Sequence, residues 1–314
     1  MSNFDLIKTS WLKSRFSTDG SVDQPPWELR FTPESGYHAL ALRDFVQGDV
    51  ILIEEPLVWC SGHHPFDESQ VEEIESKVES LSVEEQVAFY ELANVFSDSD
   101  EYRKAPGIFM TNCFDMSDND TDRCAIYLAI ARLNHSCTPN AQFTFIPEKN
   151  HEVLIASRNI AKGDEINDCY IDLRQSTSQR QKEVQELYRF TCSCRHCTSP
   201  DSTADHYRQK AAKTDELILL TINEDGPEVA IQYALDAVRL LSIEENLCWS
   251  IRYLADAHLT VYQLAMAIDT SEYAKIGMKH LNKAYEFSQM LEGDDAPNSM
   301  SIKNYLDEDS EENE

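Results

Sequence analysis

The chain has 314 residues and a net charge of −29, from 27 basic and 56 acidic residues. This balance argues against direct nucleic-acid binding, because affinity for the phosphate backbone rests on lysine and arginine. No stretch reaches the ~20 apolar residues that a membrane helix needs, and the first residues lack a signal peptide's apolar segment. We therefore expect an intracellular protein, cytoplasmic or nuclear, with two or three domains and no membrane partner.

Strand patterns dominate the region that follows an N-terminal segment at residues 1–27. Between residues 28 and 59, short apolar runs flank a turn signal at 46–49, which predicts two strands joined by a turn. Runs at 143–146 and 153–155, separated by a polar turn, predict a hairpin. These patterns indicate a β-rich domain.

A helical segment interrupts this domain. Between Glu68 and Phe96, apolar residues recur at helical spacing, and Ser82 with Glu85 forms a capping box. We therefore predict a domain at residues 28–175 with a helical insertion at about 66–112.

Helical patterns return beyond the last cysteine cluster. Pro227 suits a first helical position, and apolar residues recur every three or four positions after it. A second helix is predicted from about Glu244, and a third ends near Leu291 before Gly293, a C-cap candidate. We predict an all-α domain at residues 201–296. Paired helices of this length could form a tetratricopeptide-like (TPR-like) repeat, although no signature residues recur at a fixed period.

The last residues, 297–314, are predicted to form an acidic tail. From Leu306 to Glu314, six of nine residues are acidic, which is typical of disordered segments. A negative surface would steer a basic protein toward a cleft, but solubility alone also explains the charge.

The segment at residues 176–200 contains a candidate metal site. Cys192, Cys194 and Cys197 are spaced like metal ligands, and intracellular cysteines bind metals more often than they form disulfides. Structural zinc takes four ligands at ~2.3 Å, so a fourth ligand must come from elsewhere. His196, inside the cluster, competes for that place.

The remaining cysteines show no partner spacing and are interpreted as small buried side chains. They are Cys60, Cys113, Cys124, Cys169 and Cys248. The pair His63 and His64 is interpreted as a loop feature, so neither set predicts a second metal site.

Three stretches carry the functional argument. They are Asn134–Asn140 (NHSCTPN), Gly163–Tyr170 (GDEINDCY) and Cys192–Cys197 (CSCRHC). Taken separately, each has a simpler interpretation. The first is a polar turn, the second is a turn that precedes a strand and contains one tyrosine, and the third is a local metal site. In this order and at these distances, they resemble the SET-domain family of protein-lysine methyltransferases and its cysteine-rich post-SET segment.

The resemblance extends over about residues 28–200. The stretch Gly36–Ala41 resembles the family's first motif, and Glu54–Leu57 resembles the strands that follow it. The helical insertion, the cysteine run and the helical carboxy-terminal domain are similar to those of fungal SET proteins related to the SET-and-MYND enzymes. The cysteine series of the MYND finger is not found after Leu57.

The resemblance implies a fold and an activity. The fold class is α+β: a β-rich SET fold with a helical insertion and a zinc-bound post-SET segment, followed by an all-α domain. The activity is methyl transfer from S-adenosylmethionine to a lysine side chain of a protein or peptide, histone or non-histone. The alternative is a non-catalytic SET-fold protein that acts as a chromatin or protein interaction module.

The resemblance also implies a cofactor site. Asn134 reaches the amino-acid part of S-adenosylmethionine, and the backbone around His135 binds its adenine. An isolated Asn-His pair would be interpreted as a structural turn. The flanking Arg132 and the following Ser-Cys-Thr-Pro-Asn favour the cofactor interpretation instead.

The first motif adds Gly36, Tyr37 and His38 to this cofactor site. The family usually has Gly-x-Gly there, which lets the backbone approach the cofactor where a Cβ would intrude. Here His38 replaces the second glycine and Ala39 the next leucine, so either the loop repacks or cofactor affinity falls. This departure favours the non-catalytic alternative.

Four further residues receive roles from the resemblance. Tyr170 matches the active-site tyrosine, which orients the methyl group and the incoming amine. Tyr188 and Phe190 match the aromatic walls of the lysine channel, with Phe190 also at the cofactor; ordinary core packing is the alternative. Cys137 matches the fourth zinc ligand, which joins the three clustered cysteines.

Overall fold

The computed structural model describes residues 25–32, 36–62, 66–97, 103–116, 121–242, 250–268 and 270–312. These residues fall into two compact units. The first comprises the described residues up to Asn134 together with Phe143–Asp168 and Glu186–Phe190. The second comprises His135–Gln142, Cys169–Gln185 and the chain from Thr191 onward. His63, His64, Cys248 and the helix start expected at Glu244 lie outside the described residues.

Short strands form where the sequence alternates between apolar and polar residues. They are β1 (Trp27–Thr32), β2 (Gly36–Ala41), β3 (Val50–Glu54), β4 (Val58–Ser61), β5 (Phe114–Asp115), β6 (Arg123–Ile126), β7 (Asn134–His135), β8 (Ala141–Ile146), β9 (His151–Ala156) and β10 (Glu165–Asp168). The described strands make three small sheets with the orders β1-β2-β10-β7, β3-β9-β8 and β4-β6-β5.

Two local predictions for the strands are confirmed. β8 and β9 are neighbours joined by a 3-10 turn at Pro147–Lys149. The turn at residues 46–49 also forms, with the amide of Asp49 donating to the carbonyl of Val46 at 3.0 Å. The strand after this turn, however, pairs antiparallel with β9 and not with the segment before the turn. That segment instead contributes an isolated bridge from Phe45 to Ile160.

Between β4 and β5 the described residues form three helices: α1 (Glu68–Glu79), α2 (Val83–Tyr90) and α3 (Lys104–Asn112). The capping box predicted at Ser82 and Glu85 is confirmed, and Asp67 with Gln70 forms another before α1. Buried apolar residues of the helices form one cluster with buried residues of β4 and β6; the cluster includes Ile74, Phe89 and Phe109 from the helices, Val58 from β4 and Ile126 from β6. Full burial of each large side chain contributes roughly 1.5–3 kcal/mol. The insertion therefore packs on the sheet that contains β4 and β6. Asn134 follows β6 along the chain.

The helices that follow the strands are α4 (Thr177–Tyr188), α5 (Arg195–Thr198), α6 (Ser202–Glu224), α7 (Pro227–Ser242), α8 (Ile251–Met266), α9 (Ser271–Glu292) and α10 (Pro297–Glu312). The helix predicted from Pro227 is confirmed, and α9 ends before Gly293 at φ +83°, as predicted. A Cβ on Gly277 would lie 3.1 Å from that of Ala265, so this glycine allows α8 and α9 to approach closely.

Helix α10 corrects the prediction of a disordered tail, because the chain is helical to Glu312. Ile302 is buried and Leu306 half-buried against Leu281 and Ala284 of α9. Their i, i+4 spacing supplies an apolar stripe that the acidic composition obscured. The predicted α+β class with an all-α carboxy-terminal region is confirmed. No helix of the described residues is long and apolar enough to cross a membrane.

Candidate active site and metal centre

A buried carboxylate holds the turn that precedes Asn134 in the first unit. The carboxylate of Glu54 accepts hydrogen bonds from the backbone amides of Ala129 and Ile130 at 3.0–3.1 Å. These amides begin a 3-10 turn, where backbone donors lack partners within the turn itself. After the turn, Nδ2 of Asn134 donates to Oε1 of Glu165 at 2.8 Å. The orientation of the Asn134 amide is thus set by β10.

Arg132 connects the first motif to the helical insertion. Its side chain is buried, and Nη2 donates to the carbonyl of Ala88 in α2 at 3.1 Å. Its guanidinium carbon lies 4.7 Å from the ring centroid of Tyr37, which also meets Phe31 edge-on. Cation–π contacts of this kind stabilise by roughly 0.5–2 kcal/mol. Tyr37 is therefore held between two side chains of its own unit.

The backbone of the first motif accommodates His38. Gly36 has φ +70°, which glycine adopts without strain. His38, two residues later, lies in regular antiparallel pairing with Arg30, and its backbone does not require glycine. The side chain is half-buried, and Nδ1 is shielded from solvent with no hydrogen-bond partner among the described residues. The departure from Gly-x-Gly changes a side chain, not the path of the chain.

The two aromatic residues of the expected lysine channel flank the end of α4. Tyr188 is its last residue, and Arg189 follows with φ +60°. A left-handed conformation costs a non-glycine residue about 1–2 kcal/mol. It ends the helix and sets the direction of Phe190; both aromatic side chains are half-buried.

The four cysteines come together in the second unit. Their sulfur atoms all lie within 4.8 Å of one another, with 4.0 Å between Cys137 and Cys192 and 3.6 Å between Cys137 and Cys197. A tetrahedral ion with ~2.3 Å metal–sulfur bonds places its sulfurs about 3.8 Å apart, so the group can hold a metal ion. His196, the competing ligand, is not part of this group.

A short helix positions the clustered cysteines. Cys194 is the N-cap of the short helix α5, and its carbonyl accepts the amide of Cys197 at 2.9 Å. Hydrogen bonding with Cys137 lowers the pKa of Cys194 to about 6 and also lowers the pKa of Cys192. The same hydrogen bonding, with Cys192 above all, raises the pKa of Cys137, so Cys192 and Cys194 ionise before Cys137 does. Metal binding requires thiolates.

His135 lies between this cluster and Tyr170. The backbone amide of Tyr170 donates to Nδ1 of His135 at 3.1 Å, and the two ring centroids are 5.3 Å apart. Because Nδ1 accepts, the neutral ring carries its proton on Nε2. Nε2 lies 3.4 Å from the sulfur of Cys137, so it donates there. One imidazole therefore joins the candidate catalytic tyrosine to a candidate metal ligand.

Two polar side chains that the sequence analysis missed also support this region. Arg208, fully buried on α6, donates to the carbonyls of Leu173 at 2.7 Å and Cys137 at 3.1 Å. Gln181 on α4 donates to the carbonyl of Cys192 at 2.7 Å and accepts its amide at 3.1 Å. The available signal for Arg208 was a charged residue within the apolar stripe of its helix, next to buried alanines at i−4 and i+3.

Comparisons with known proteins identify a SET domain in this chain. The SET domain family matches residues 36–171, which include the first motif, Asn134, His135 and Tyr170. Histone-lysine N-methyltransferase set5 of Schizosaccharomyces pombe is 27% identical over 88% of this chain and 82% of its own length. Histone-lysine N-methyltransferase SMYD3 of Homo sapiens is 38% identical, over 26% of this chain and 18% of its own.

N-lysine methyltransferase SMYD2 of Mus musculus is 28% identical over 43% of this chain and 32% of its own length. The chain thus spans most of the set5 protein but less than a third of SMYD2 or SMYD3. These similarities show that residues 36–171 form a SET domain and that the chain is similar to protein-lysine methyltransferases, with fungal set5 and the SMYD enzymes among its relatives.

Proposed function

We propose that this protein transfers a methyl group from S-adenosylmethionine to a lysine side chain of a protein substrate. The observation that carries the proposal is the hydrogen bond from the amide of Tyr170 to His135, inside the segment that matches the SET domain. It fixes the backbone of the tyrosine next to the motif that the family uses for its cofactor. The relatives named histone-lysine and N-lysine methyltransferases support the same substrate class.

Two polar groups of the first unit support a cofactor site in this chain. Gly36, Tyr37 and His38 with Asn134, His135 and Phe190 would hold S-adenosylmethionine, which supplies an electrophilic methyl group. The shielded Nδ1 of His38 offers a polar atom that has no partner among the described residues. The amide of Asn134 is already oriented by Glu165.

The chain's own contribution to the reaction is alignment and desolvation. An unperturbed lysine has a pKa of ~10.4, so the site must favour the neutral amine, and an aromatic channel does so by excluding water. Tyr188 and Phe190 would wall this channel. Alignment of the reactants supplies on the order of 7–11 kcal/mol, whereas one positioned donor supplies a few. We therefore assign Tyr170 an orienting role and not that of a general base.

The four-cysteine group is proposed to hold one structural zinc ion. Cys137, Cys192, Cys194 and Cys197 provide a closed set of four sulfur ligands, which is typical of structural and not catalytic zinc. The ion would tie the segment after α4 to the loop that contains His135.

The substrate is proposed to be a lysine-bearing protein or peptide, histone or non-histone, in the nucleus or cytoplasm. The net charge of −29 favours encounter with basic proteins, since opposite charges steer association.

The direct test is methyl transfer from labelled S-adenosylmethionine to a panel of lysine-rich proteins, with mass spectrometry to locate the label. We expect label on lysine. Binding of S-adenosylmethionine without transfer to any panel member would call for another substrate, whereas absence of both contradicts the proposal.

A non-catalytic interaction module is the second candidate. The observation that favours it is His38 in place of the second glycine, because its side chain adds volume where the family has none. Calorimetric titration with S-adenosylmethionine separates the two candidates, since the non-catalytic protein would bind none.

A further inference from the structure

Arg208 is a buried cation that joins two backbone segments of the second unit. Its side chain is fully buried, and its two terminal nitrogens donate to different carbonyls, Nη1 to Leu173 at 2.7 Å and Nη2 to Cys137 at 3.1 Å. A guanidinium suits such a bridge because its donors lie in one rigid plane. Because a buried cation is unfavourable unless its donors are satisfied, these hydrogen bonds constrain Arg208 as well as its two acceptors.

The same two segments are joined by a hydrogen bond of the candidate active site. The amide of Tyr170, three residues before Leu173, donates to Nδ1 of His135, two residues before Cys137. Arg208 therefore adds a second connection between the segments, a short distance along each of them. Two connections restrict rotation of one segment about the other, which a single hydrogen bond does not. We expect loss of the Arg208 bridge to loosen the register between Tyr170 and His135.

Helix α6, which contains Arg208, is also attached to the chain that follows the candidate catalytic tyrosine. Asp205 accepts the amide of Thr177 at 2.8 Å and its hydroxyl at 2.9 Å. Asp215 accepts from Nη1 of Arg174. Asp205, Arg208 and Asp215 are three and seven positions apart, so they share one face of the helix. This face of α6 therefore holds the segment after the tyrosine through three side chains.

The alternative is that Arg208 only fills the core of the helical region. Ala204 and Ala211, one turn before it and one turn after it, belong to a buried cluster with Leu240 and Leu241 of α7. Core packing needs only the aliphatic part of the arginine, whereas the bridge needs its planar, charged end. Substitutions that keep the volume and change this end separate the two roles.

We propose that Arg208 is a positioning residue for methyl transfer, which holds Tyr170 in register with His135. Its effect on turnover rests on the proposed function, whereas its effect on the register does not. The match to the SET domain covers residues 36–171, and α6 lies outside it. The inference therefore gives a helix beyond the SET domain a part in aligning the reacting groups.

The first test is hydrogen–deuterium exchange at the Tyr170 amide of the full-length protein, resolved by fragmentation of short peptides. Arg208→Met keeps an unbranched apolar stem and removes both donors. Exchange at Tyr170 should accelerate at least about tenfold, the effect of losing one hydrogen bond to a charged group. Arg208→Lys keeps the charge without the planar pair of donors, so its exchange should lie between those of Arg208→Met and wild type. Exchange in β4 and β6 should not change.

The matched control is Thr214→Val on the same helix. Thr214 is buried, and its hydroxyl donates within α6 to the carbonyl of Ala211. This variant perturbs the helix without removing the bridge, so exchange at Tyr170 should match wild type. Equal acceleration in Thr214→Val and Arg208→Met would show that Arg208 supports only the helix, which overturns the proposal.

The second test is methyl transfer by the same variants. Turnover of Arg208→Met should fall by up to roughly 100-fold, the loss that a displacement of about 1 Å at reacting groups produces. Thr214→Val should turn over like wild type. Wild-type exchange at Tyr170 in Arg208→Met overturns the proposal; if that variant does not fold, wild-type exchange in Arg208→Lys does so. A wild type without methyl transfer, combined with faster exchange in Arg208→Met, would contradict the proposed function and support the effect of Arg208 on the register.

Discussion

The backbone amide of Tyr170 donates to Nδ1 of His135 at 3.1 Å, while the opposite nitrogen of the same ring faces the sulfur of Cys137 at 3.4 Å. This relationship makes the imidazole a connector between the proposed metal site and the tyrosine. Its consequence is that metal loading and catalytic alignment should be coupled.

Replacing His135 by phenylalanine tests that coupling. The ring volume is kept, but both hydrogen bonds are lost, so Tyr170 should no longer be held in register. We expect methyl transfer to fall by roughly 100-fold, as expected for a displacement of about 1 Å at a reacting centre. Zinc content should remain near wild type. His196→Phe is the control, and equal losses in the two variants would show that His135 has no special role.

Tyr170→Phe removes one hydroxyl and keeps the ring. If that hydroxyl orients the methyl group and the amine, its loss should cost about 2.7–4 kcal/mol in the transition state, or a 100- to 1,000-fold slower turnover. S-Adenosylmethionine affinity should scarcely change. A methyl-transfer assay and a binding titration measure these two quantities. Equal turnover of mutant and wild type would show that Tyr170 only lines the channel.

Cys137→Ser addresses the fourth ligand of the metal site. We expect wild-type protein, purified under reducing conditions without chelator, to contain one zinc per chain, and the variant to lose most of it. Structural zinc depends on a complete set of four ligands. His196→Ala should keep its zinc. If Cys137→Ser retains its full zinc content, the fourth ligand is another residue, and His196 is the first candidate.

His38 yields a prediction whose direction the structure changes. From sequence alone, His38→Gly should tighten S-adenosylmethionine binding by restoring backbone approach. The regular strand at His38 and its shielded Nδ1, which has no hydrogen-bond partner among the described residues, instead favour a cofactor contact. We therefore expect His38→Gly and His38→Leu both to weaken binding in calorimetric titration. Tighter binding by His38→Gly would restore the interpretation that the side chain intrudes.

The stability of the carboxy-terminal helices should depend on pH through His258. Its Nδ1 lies 3.0 Å from Nδ1 of His280, and the ring of Phe287 is nearby. Burial lowers the pKa of His258 to about 4, assisted by the charges of His280, Lys283 and Lys279 and opposed by Glu286. The unfolded chain binds this proton near pH 6.5, so the free energy of unfolding should decrease as pH falls from about 6.5 to about 4.

The loss has an upper bound of roughly 3.5 kcal/mol, since each pKa unit corresponds to about 1.4 kcal/mol. Urea unfolding at several pH values measures it. His258→Phe should flatten this part of the pH profile, whereas the exposed His206→Leu should leave it unchanged. An identical slope in His258→Phe and wild type would assign the acid sensitivity to other groups.

Sequence by itself determined the features that depend on neighbouring residues. The capping box at Ser82, the turn at residues 46–49 and the glycine stop after α9 are local hydrogen-bond and backbone effects, and all three form as predicted. The motif order from Asn134 to Cys197 was sufficient to indicate the family, because its chemistry requires particular residue types at particular spacings.

Tertiary structure decided what distant residues do to one another. Strand β3 pairs with β9, more than 90 residues later in the chain, and no local pattern specifies that choice. Cys60 and Cys124, which showed no partner spacing, are directly opposite in β4 and β6. The hydrogen bonds of the buried Arg208 to the carbonyls of Leu173 and Cys137 also appeared only in the folded chain. From sequence, a charged residue in a helix is interpreted as exposed to solvent. Only the folded structure shows that it is buried and which hydrogen-bond partner offsets its lost hydration.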